Sequence, residues 1–316
     1  MAGKKIIVVI GATGAQGGGL ARAIAADSQG EFTARAVTRK LDSDPARALA
    51  AAGIEVVAAD ADNPATLDQA FAGAHGAFCV TNFWEHFSAE REQTQARNLA
   101  QAAQRAGVRH VVWSTLEDTR KWVPLADTRM PTLHGKYKVP HFDSKGEADE
   151  FFRSLGVPTT FLLTSFYWDN FIHFGLGPKR GPDGTLAITL PLDGAKLPGI
   201  AVADIGKCAY GVFKRGSELI GKTVGIAGGH PTGAEVAAGL TRALGETVRF
   251  QNVSPEVYRG FGFPGADDLG NMFQFKRDFN DYYCGARDLG FSRSLNPELQ
   301  SYDTWLDRNK DRIPRG

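Results

Sequence analysis

Cysteine and histidine are both scarce in this chain. Its three cysteines, Cys79, Cys208 and Cys284, are too few and too far apart for a disulfide framework or a CxxC metal pair. The seven histidines form neither an HExxH motif nor a zinc-finger spacing. The sequence therefore predicts no metal site, and we expect a reducing, cytoplasmic environment.

Excess charge and long apolar runs are also missing. Thirty-six Lys and Arg residues face 35 Asp and Glu residues, for a net charge of +1, so no basic field would draw the chain onto nucleic acid or an anionic membrane. The first apolar run, residues 6–10, is too short for a signal peptide or a membrane span. Hydrophobic residues still make up 43% of the 316 residues, enough for a large core. We expect a globular protein with no direct nucleic-acid binding and no membrane contact.

The first half of the chain alternates short β-branched runs with longer helical patterns. Short connections between repeated β-α-β units predict a parallel sheet with helices on both faces. The fold class predicted is α/β, a Rossmann doubly wound parallel sheet with a smaller C-terminal α/β domain. The strands are expected at residues 6–10, 32–37, 55–58, 77–80, 111–114 and 160–163.

Composition changes after Asn170, where Gly and Pro become frequent. We therefore predict a Rossmann domain over residues 1–170 and a smaller domain over residues 171–316, some of whose elements could return to the main sheet. In the smaller domain, residues 185–190 and 199–202 are expected to pair as strands, and residues 297–308 to form a helix. Residues 117–140 make a long loop, which is typical of a functional or partly mobile segment.

A glycine-rich turn separates the first strand from the first helix. Glycine there accepts unusual dihedrals and lets the backbone approach a pyrophosphate, while free N–H groups at the helix start face its charge. This GxxGxxG pattern predicts a dinucleotide site because it follows a strand and precedes a helix. The predicted cofactor contacts in the turn are Gly11, Ala12, Thr13, Gly14, Ala15 and Gln16.

The end of the second strand carries Arg39 where NAD-binding proteins usually place an acidic residue. A guanidinium there can pair with a 2′-phosphate, so the sequence favours NADP(H). Asp60, after the third strand, either contacts adenine or caps the helix at Pro64. Thr81, Asn82 and Phe83 follow the fourth strand at the edge where ligands bind.

Longer motifs make the chain resemble the NmrA-like family of atypical short-chain dehydrogenase/reductases, and within it the HSCARG-type NADP(H) sensors. The matching stretches span nearly the whole chain, and the one near the C-terminus is the most distinctive. They are GATGAQGG at residues 11–18, VTR at 37–39, VTNFWE at 80–85, HFDSKGE at 141–147, YWDN at 167–170 and GFPGADDLGNMF at 262–273.

The resemblance implies a cleft between two domains that holds NADP(H). It also implies cofactor contacts from the residues already named and from Lys145, Tyr167, Trp168, Asp169 and Asn170. In such proteins, the bound cofactor is expected to alter partner binding or self-association. A protein partner or a homodimer contact through the C-terminal domain is the corresponding expectation.

The catalytic pair of short-chain reductases is incomplete. Those enzymes use a tyrosine with a lysine four residues later. Here Lys145 stands in the lysine place and His141 in the tyrosine place, while a literal YxxxK at Tyr210 and Lys214 lies in the wrong part of the chain. His141 is either a general acid or a structural residue, and Lys145 either a ribose contact or a solvated lysine. Ser114, ending the fifth strand, is either a hydrogen-bond donor to a substrate carbonyl or a hydroxyl bonded to backbone.

Two functions follow from these residues. The first is an NADP(H)-binding regulatory protein, a redox sensor with a degenerate reductase site. The alternative is an NADPH-dependent reductase of a small carbonyl, quinone or enone, with its substrate held by aromatic side chains that could equally be interface core. A structural scaffold is a third reading, against which the intact glycine turn and Arg39 both argue.

Overall fold

The computed structural model describes residues 3–316. Strands and helices alternate through its first half, as the apolar pattern predicts. Pro residues at the first turns of α2, α3 and α5 suit helix starts, where no intrahelical N–H bond is lost. The elements are β1 (Lys5–Val9), α1 (Ala15–Ala26), β2 (Phe32–Thr38), α2 (Asp44–Ala51), β3 (Glu55–Ala58), α3 (Pro64–Phe71), β4 (Gly76–Cys79), α4 (Ala89–Arg105), β5 (His110–Thr115), α5 (Pro140–Ser154) and β6 (Thr159–Leu163).

The second half consists of short strands and many helices. Its best-defined helix start is at Thr232, which forms a capping box with Glu235 ahead of α8. The elements are β7 (Phe166–Tyr167), α6 (Asn170–His173), β8 (Lys179–Arg180), β9 (Leu186–Leu190), β10 (Gly199–Ile200), α7 (Val202–Arg215), β11 (Thr223–Gly225), α8 (Gly233–Leu244), β12 (Val248–Asn252), α9 (Pro255–Arg259), α10 (Ala266–Asp278), α11 (Asn280–Gly285), α12 (Leu289–Leu295) and α13 (Tyr302–Asn309).

A seven-stranded parallel sheet organises the molecule. Its strand order is β11-β6-β5-β4-β1-β2-β3, and every pairing within it is parallel. The order reverses beside β1, so the crevice outside the carboxyl ends of β1 and β4 is the expected ligand position. The predicted fold class is confirmed. Strand β11, from the C-terminal half, lies at the edge of this sheet beside β6, while the division at residue 170 stays a prediction.

Two details of the predicted C-terminal part are wrong. Strand β9 does not pair with residues 199–202; it pairs with β12 and β8, whereas β10 pairs with β7. Burial alternates along β9. Such an alternating pattern predicts a strand, but it does not predict which other strand pairs with it. The last helix begins at Tyr302 rather than at residue 297, because the Ser301 hydroxyl caps the helix by accepting the N–H of Thr304.

Helices α1 and α7 meet through glycines, which brings them into unusually close contact. Gly206 of α7 lies directly over the backbone of Gly19 and Leu20 in α1, and a Cβ on Gly206 would overlap those atoms. This contact fixes the helix that begins at the glycine turn against the C-terminal half of the chain. The position of the turn therefore depends on residues almost 190 positions apart.

We expect Gly206→Ala to lower the free energy of unfolding by about 2 kcal/mol, because the methyl group must push α1 and α7 apart. Gly285→Ala is the matched control, since Gly285 ends α11 with open space around its Cβ position. Urea denaturation followed by circular dichroism measures both variants. An equal free energy of unfolding for Gly206→Ala and the wild type would refute the close α1–α7 contact.

Candidate functional site

The glycine turn after β1 presents unpaired N–H groups at the sheet edge. Gly11 has a φ of +66°, a left-handed conformation that glycine adopts at little cost. Gly14 is the N-cap of α1, and no side chain caps the helix. In the described chain, the N–H groups of residues 13, 15, 16 and 17 have no backbone acceptor. These donors, at the positive end of α1, suit an anion.

Two further features near the turn are those expected of a dinucleotide site. A Cβ on Gly17 would lie 2.6 Å from the Gly11 carbonyl oxygen, so only glycine lets α1 approach β1 this closely. The Gln16 amide Nε2 donates to the Tyr167 hydroxyl at 2.6 Å, while its Oε1 is buried without a partner. A buried amide oxygen of this kind normally finds a donor, and a ribose hydroxyl could supply one. The residues present therefore fit NADP(H).

Arg39 lies just beyond β2 and pairs with Glu85, which belongs to a single 3₁₀ turn after β4 (Phe83–Glu85). Arg39 Nη1 and Nη2 donate to the two carboxylate oxygens at 2.5 and 3.1 Å. The hydrogen bond from Arg39 lowers the pKa of Glu85, and Glu85 raises the pKa of Arg39. Both side chains remain partly exposed. They lie beside the crevice outside the carboxyl ends of β1 and β4, and we call this crevice, from the glycine turn to Arg39 and Glu85, the groove.

Asp60 holds a local turn rather than a helix end. Its Oδ1 accepts the N–H of Asp62 at 3.0 Å, and the N-cap of α3 is Asn63. The helix-cap interpretation of Asp60 is therefore wrong, because the cap falls three residues later. The Asp60 charge contributes to the raised pKa of Arg39, which places Asp60 beside the same end of the groove.

Lys145 lies in a buried polar cluster and not in solvent. Its ammonium group donates to the Thr81 carbonyl at 2.9 Å and to the Thr81 hydroxyl at 2.8 Å, and lies 3.0 Å from Glu92 Oε1. Glu92 is fully buried and also accepts the hydroxyls of Thr81 and Ser144, each at 2.8 Å. The ammonium group therefore has two hydrogen-bond acceptors on Thr81 and an ion-pair partner in Glu92. A ribose hydroxyl near Lys145 would meet an ammonium group that already has these protein partners.

His141 is fixed by a carboxylate from the C-terminal half. Its Nδ1 lies 2.6 Å from Asp268 Oδ1, and its backbone N–H donates to the other oxygen at 3.1 Å. The imidazole packs against Trp84 with ring centroids 4.7 Å apart, and against Phe83 at 6.1 Å. Asp268 orients the imidazole through Nδ1, so Nε2 is the ring nitrogen that is not bound to Asp268. His141 does not cap α5, whose N-cap is Val139.

The four residues at 167–170 separate into different environments. Tyr167 reaches the glycine turn through Gln16, and burial raises the pKa of its hydroxyl. Trp168 is buried against Tyr302 in the C-terminal core. Asp169 accepts the N–H of Val202 at the start of α7, and Asn170 begins α6. Of the four, only Tyr167 has a hydrogen bond to the turn.

In the described chain, no hydrogen bond joins Lys145 to the predicted site residues Ser114 and Asn82, or to Tyr210 of the literal YxxxK pattern. Trp113 and Thr115 bond to Asp149 of α5, so the intervening Ser114 points to the opposite face of the sheet. Asn82 is exposed at the sheet edge. Tyr210 donates its hydroxyl to Asp27 near the amino ends of the strands, which agrees with the reading of its YxxxK pattern as chance.

The long segment before α5 is held by side chains from α10. Asn271 Nδ2 donates to the carbonyls of Pro131 and Lys138, and Gln274 donates to that of Arg129. Trp84 packs against Gly265, where a Cβ would lie 2.8 Å from its ring. The distinctive C-terminal motif therefore contacts both the segment before α5 and the 3₁₀ turn beside Arg39.

Three site residues were not assigned a role from the sequence. Glu85 and Asp268 lie inside the quoted motifs, so their positions were visible but their partners were not. Glu92 belongs to a polar stretch of α4 (residues 90–95) and carries no signal that separates it from solvated neighbours. Burial of a glutamate becomes evident only once α4 and α5 are packed together.

In the described part of the chain, no helix is long and apolar enough to cross a membrane. Nor do residues 3–316 bring together three His, Cys, Asp or Glu side chains in an arrangement that could hold a metal ion. The cysteines at positions 79, 208 and 284 are free thiols.

The sheet order and the glycine turn together define a Rossmann-type NAD(P)-binding fold. Residues 3–306 match the family model described as the NmrA-like family. The chain belongs to the NmrA-like family, which confirms the resemblance inferred from its motifs.

The chain is similar to proteins with different described roles. The NmrA-like family domain-containing oxidoreductase FrzB of Cladobotryum sp is 28% identical over 299 residues, covering 88% of this chain and 85% of the relative. Solved structures of NmrA, a negative transcriptional regulator, with NADP and with NAD are each 24% identical with a TM-score of 0.79, covering 97% of this chain and 95% of NmrA. The Citrobacter sp. triphenylmethane reductase complexed with NADP(H) is 21% identical with a TM-score of 0.74, covering 96% and 99%.

We expect Lys145→Met to lower the free energy of unfolding by about 3–5 kcal/mol, because it leaves the buried Glu92 carboxylate without a cation. The double variant Lys145→Met/Glu92→Gln should recover most of that loss. Lys207→Met, which breaks an exposed pair with Glu298, is the control and should cost less than about 1 kcal/mol. Urea denaturation measures all three. A Lys145→Met variant as stable as the control would contradict the buried pair.

Proposed function

We propose that the chain binds NADP(H) in the groove above the glycine turn. Four free N–H groups and the Gln16 amide oxygen supply polar partners for the diphosphate and a ribose. Arg39 supplies a guanidinium where the adenosine 2′-phosphate of NADP(H) would lie. The NADP and NADP(H) complexes of the solved family neighbours support this assignment.

Arg39→Met should raise the Kd for NADPH about 10- to 100-fold, since a charge-assisted pair of hydrogen bonds to the 2′-phosphate is lost. The Kd for NADH, which has no 2′-phosphate, should change less than about threefold. Isothermal titration calorimetry measures both. Arg47→Met, on the exposed face of α2, controls for the loss of a positive charge. Equal weakening of NADPH and NADH would contradict the role of Arg39.

We further propose that the protein is a redox sensor acting through its C-terminal half. One observation carries this proposal: the 3₁₀ turn bearing Glu85 joins the Arg39 end of the groove to α10. Glu85 binds Arg39, Trp84 packs on Gly265 and on His141, and His141 binds Asp268. A ligand that binds one arrangement of this turn more tightly than another shifts the balance between them. A protein partner or a second copy of the chain would then bind one position of α10 more tightly than the other.

The engagement of the Lys145 ammonium group by Thr81 and Glu92 supports a sensor over a turnover enzyme. In short-chain reductases, the lysine lowers the pKa of a catalytic tyrosine. Here the sequence position of that tyrosine holds His141, and Lys145 donates to Thr81 and pairs with Glu92. The free thiols at 79, 208 and 284 fit the reducing cytoplasm that we propose as the location.

A second candidate function is NADPH-dependent reduction of a small carbonyl, quinone or enone. The specific observation in its favour is the His141–Asp268 pair, since a carboxylate on Nδ1 orients an imidazole and makes Nε2 a competent proton donor or acceptor. The oxidoreductase names of FrzB and its fungal relatives point the same way.

The sensor proposal predicts no sustained NADPH oxidation when the purified protein is mixed with a panel of quinones, aldehydes and enones. Absorbance at the nicotinamide band follows the reaction. Turnover that falls by about 100-fold or more in His141→Ala, a loss typical of a general acid, would instead establish the reductase. His173→Ala is the control, because His173 lies outside the groove at the end of α6.

Hydrogen exchange gives the positive test of sensing. We expect NADPH and NADP⁺ at equal saturation to protect the amides of residues 83–87 and of α10 differently, because the two ligands must favour different arrangements to be distinguished. Sedimentation velocity under the same conditions detects any accompanying change in mass. Identical exchange and identical mass with both ligands would reject the sensor.

A further inference from the structure

The Arg39–Glu85 ion pair spans the strand from which the glycine turn emerges. In the sheet, β1 lies between β4 and β2. Arg39 follows β2, Glu85 lies beyond β4, and the turn at residues 11–17 follows β1. The bond between the two side chains therefore crosses the carboxyl end of β1, on the side of the sheet where a dinucleotide enters.

Glu85 occupies the Nη1/Nη2 edge of the Arg39 guanidinium, an edge that can also hold a phosphate through two parallel hydrogen bonds. Arg39 donates from both terminal nitrogens to the two carboxylate oxygens, at 2.5 and 3.1 Å. Phosphate oxygens prefer this same two-pronged geometry. A carboxylate and a phosphate cannot both occupy this edge, and two anions bound to one guanidinium would repel each other. Glu85 is 41% exposed, so it has room to turn away.

The surroundings of Arg39 are already acidic. Asp60 and Asp62 act on its charge through space. Asp62 is itself held by Arg91, whose Nη2 lies 2.6 Å from Asp62 Oδ2, and by the Gln95 amide. Asp62 is thus compensated by its own cation, whereas Glu85 has Arg39 as its closest one. Glu85 is the carboxylate that competes most directly for Arg39.

We propose that Glu85 is a specificity-determining residue that restrains the preference for a 2′-phosphate by competing for Arg39. This inference rests on the proposed binding of NADP(H) above the glycine turn. A 2′-phosphorylated adenosine must displace Glu85 before it gains Arg39. An adenosine without the phosphate leaves the ion pair in place. Removing the negative charge at position 85 therefore strengthens binding of the phosphorylated ligand alone.

The test uses two small probes that differ only in the 2′-phosphate, adenosine 2′,5′-bisphosphate and adenosine 5′-monophosphate. Calorimetric titration of the full chain compares wild type with Glu85→Gln. The Kd for the bisphosphate should fall about two- to fivefold, the worth of an exposed ion pair. The Kd for the monophosphate should stay within about twofold.

Two matched variants separate competition from a general charge effect. Glu31→Gln removes the same charge at the opposite end of the sheet, where Glu31 pairs with Lys5, and should leave both Kd values unchanged. In the Arg39→Met background, Glu85→Gln should no longer tighten the bisphosphate, because the contested guanidinium is gone.

The outcomes distinguish this inference from the function it rests on. If wild type binds the bisphosphate but Glu85→Gln binds it equally or more weakly, Glu85 organises Arg39 or does nothing, and the inference is overturned while NADP(H) binding stands. If wild type binds neither the bisphosphate nor NADPH at millimolar concentration, the proposed NADP(H) binding is itself contradicted, and the inference about Glu85 is overturned with it. Tightening that persists in the Arg39→Met background overturns competition as its cause.

Discussion

Unsatisfied N–H groups at the start of α1 are the constraint around which this molecule is arranged. A helix start normally gains a side-chain cap, yet Gly14 stands at that position and offers none. The donors remain available only because Gly17 lets α1 approach β1 and Gly206 lets α7 press α1 into place. The polar edge of the sheet is therefore held by packing on the far side of the helix.

Two buried carboxylates bind the side chains that stand at the catalytic positions of a short-chain reductase. Lys145 keeps its place in α5, but its ammonium group donates to Thr81 and forms an ion pair with Glu92. His141 keeps the place of the tyrosine, but Asp268 fixes its orientation from α10. Because a buried carboxylate such as Glu92 or Asp268 loses much when its partner is removed, these contacts join α4, α5 and α10 into one unit. The same contacts connect the groove to the part of the chain that a partner could contact.

Much of the fold could be predicted from the sequence because its signals are local. The apolar runs, the glycine turn and Arg39 each depend on neighbours within a few residues, and the strands, the turn and the position of Arg39 at the end of β2 appear as expected. The pairing of β9 was wrong because strand pattern does not name a partner. Trp168 matched a family motif, yet it lies in the C-terminal core.

The partners of the site residues could not be predicted, for a physical reason. Glu85, Glu92 and Asp268 act through contacts with residues 46, 53 and 127 positions away, and such partners become neighbours only when the chain is folded. Glu92 lies on an ordinary polar stretch, and Glu85 and Asp268 lie in motifs whose sequence does not identify their partners. The glycine turn could therefore be predicted from the sequence, because it depends on local backbone geometry. The roles of these three carboxylates could not, because they depend on side chains distant in the sequence.

The central claim is that a dinucleotide's phosphates accept hydrogen bonds from the turn after β1. An amide-resolved NMR titration of the ¹⁵N-labelled protein with NADP⁺ tests this most directly. The account predicts that the amides of residues 13 and 15–17 show the largest chemical-shift changes and gain protection from exchange. Unchanged resonances at these amides with millimolar NADP⁺ would contradict it.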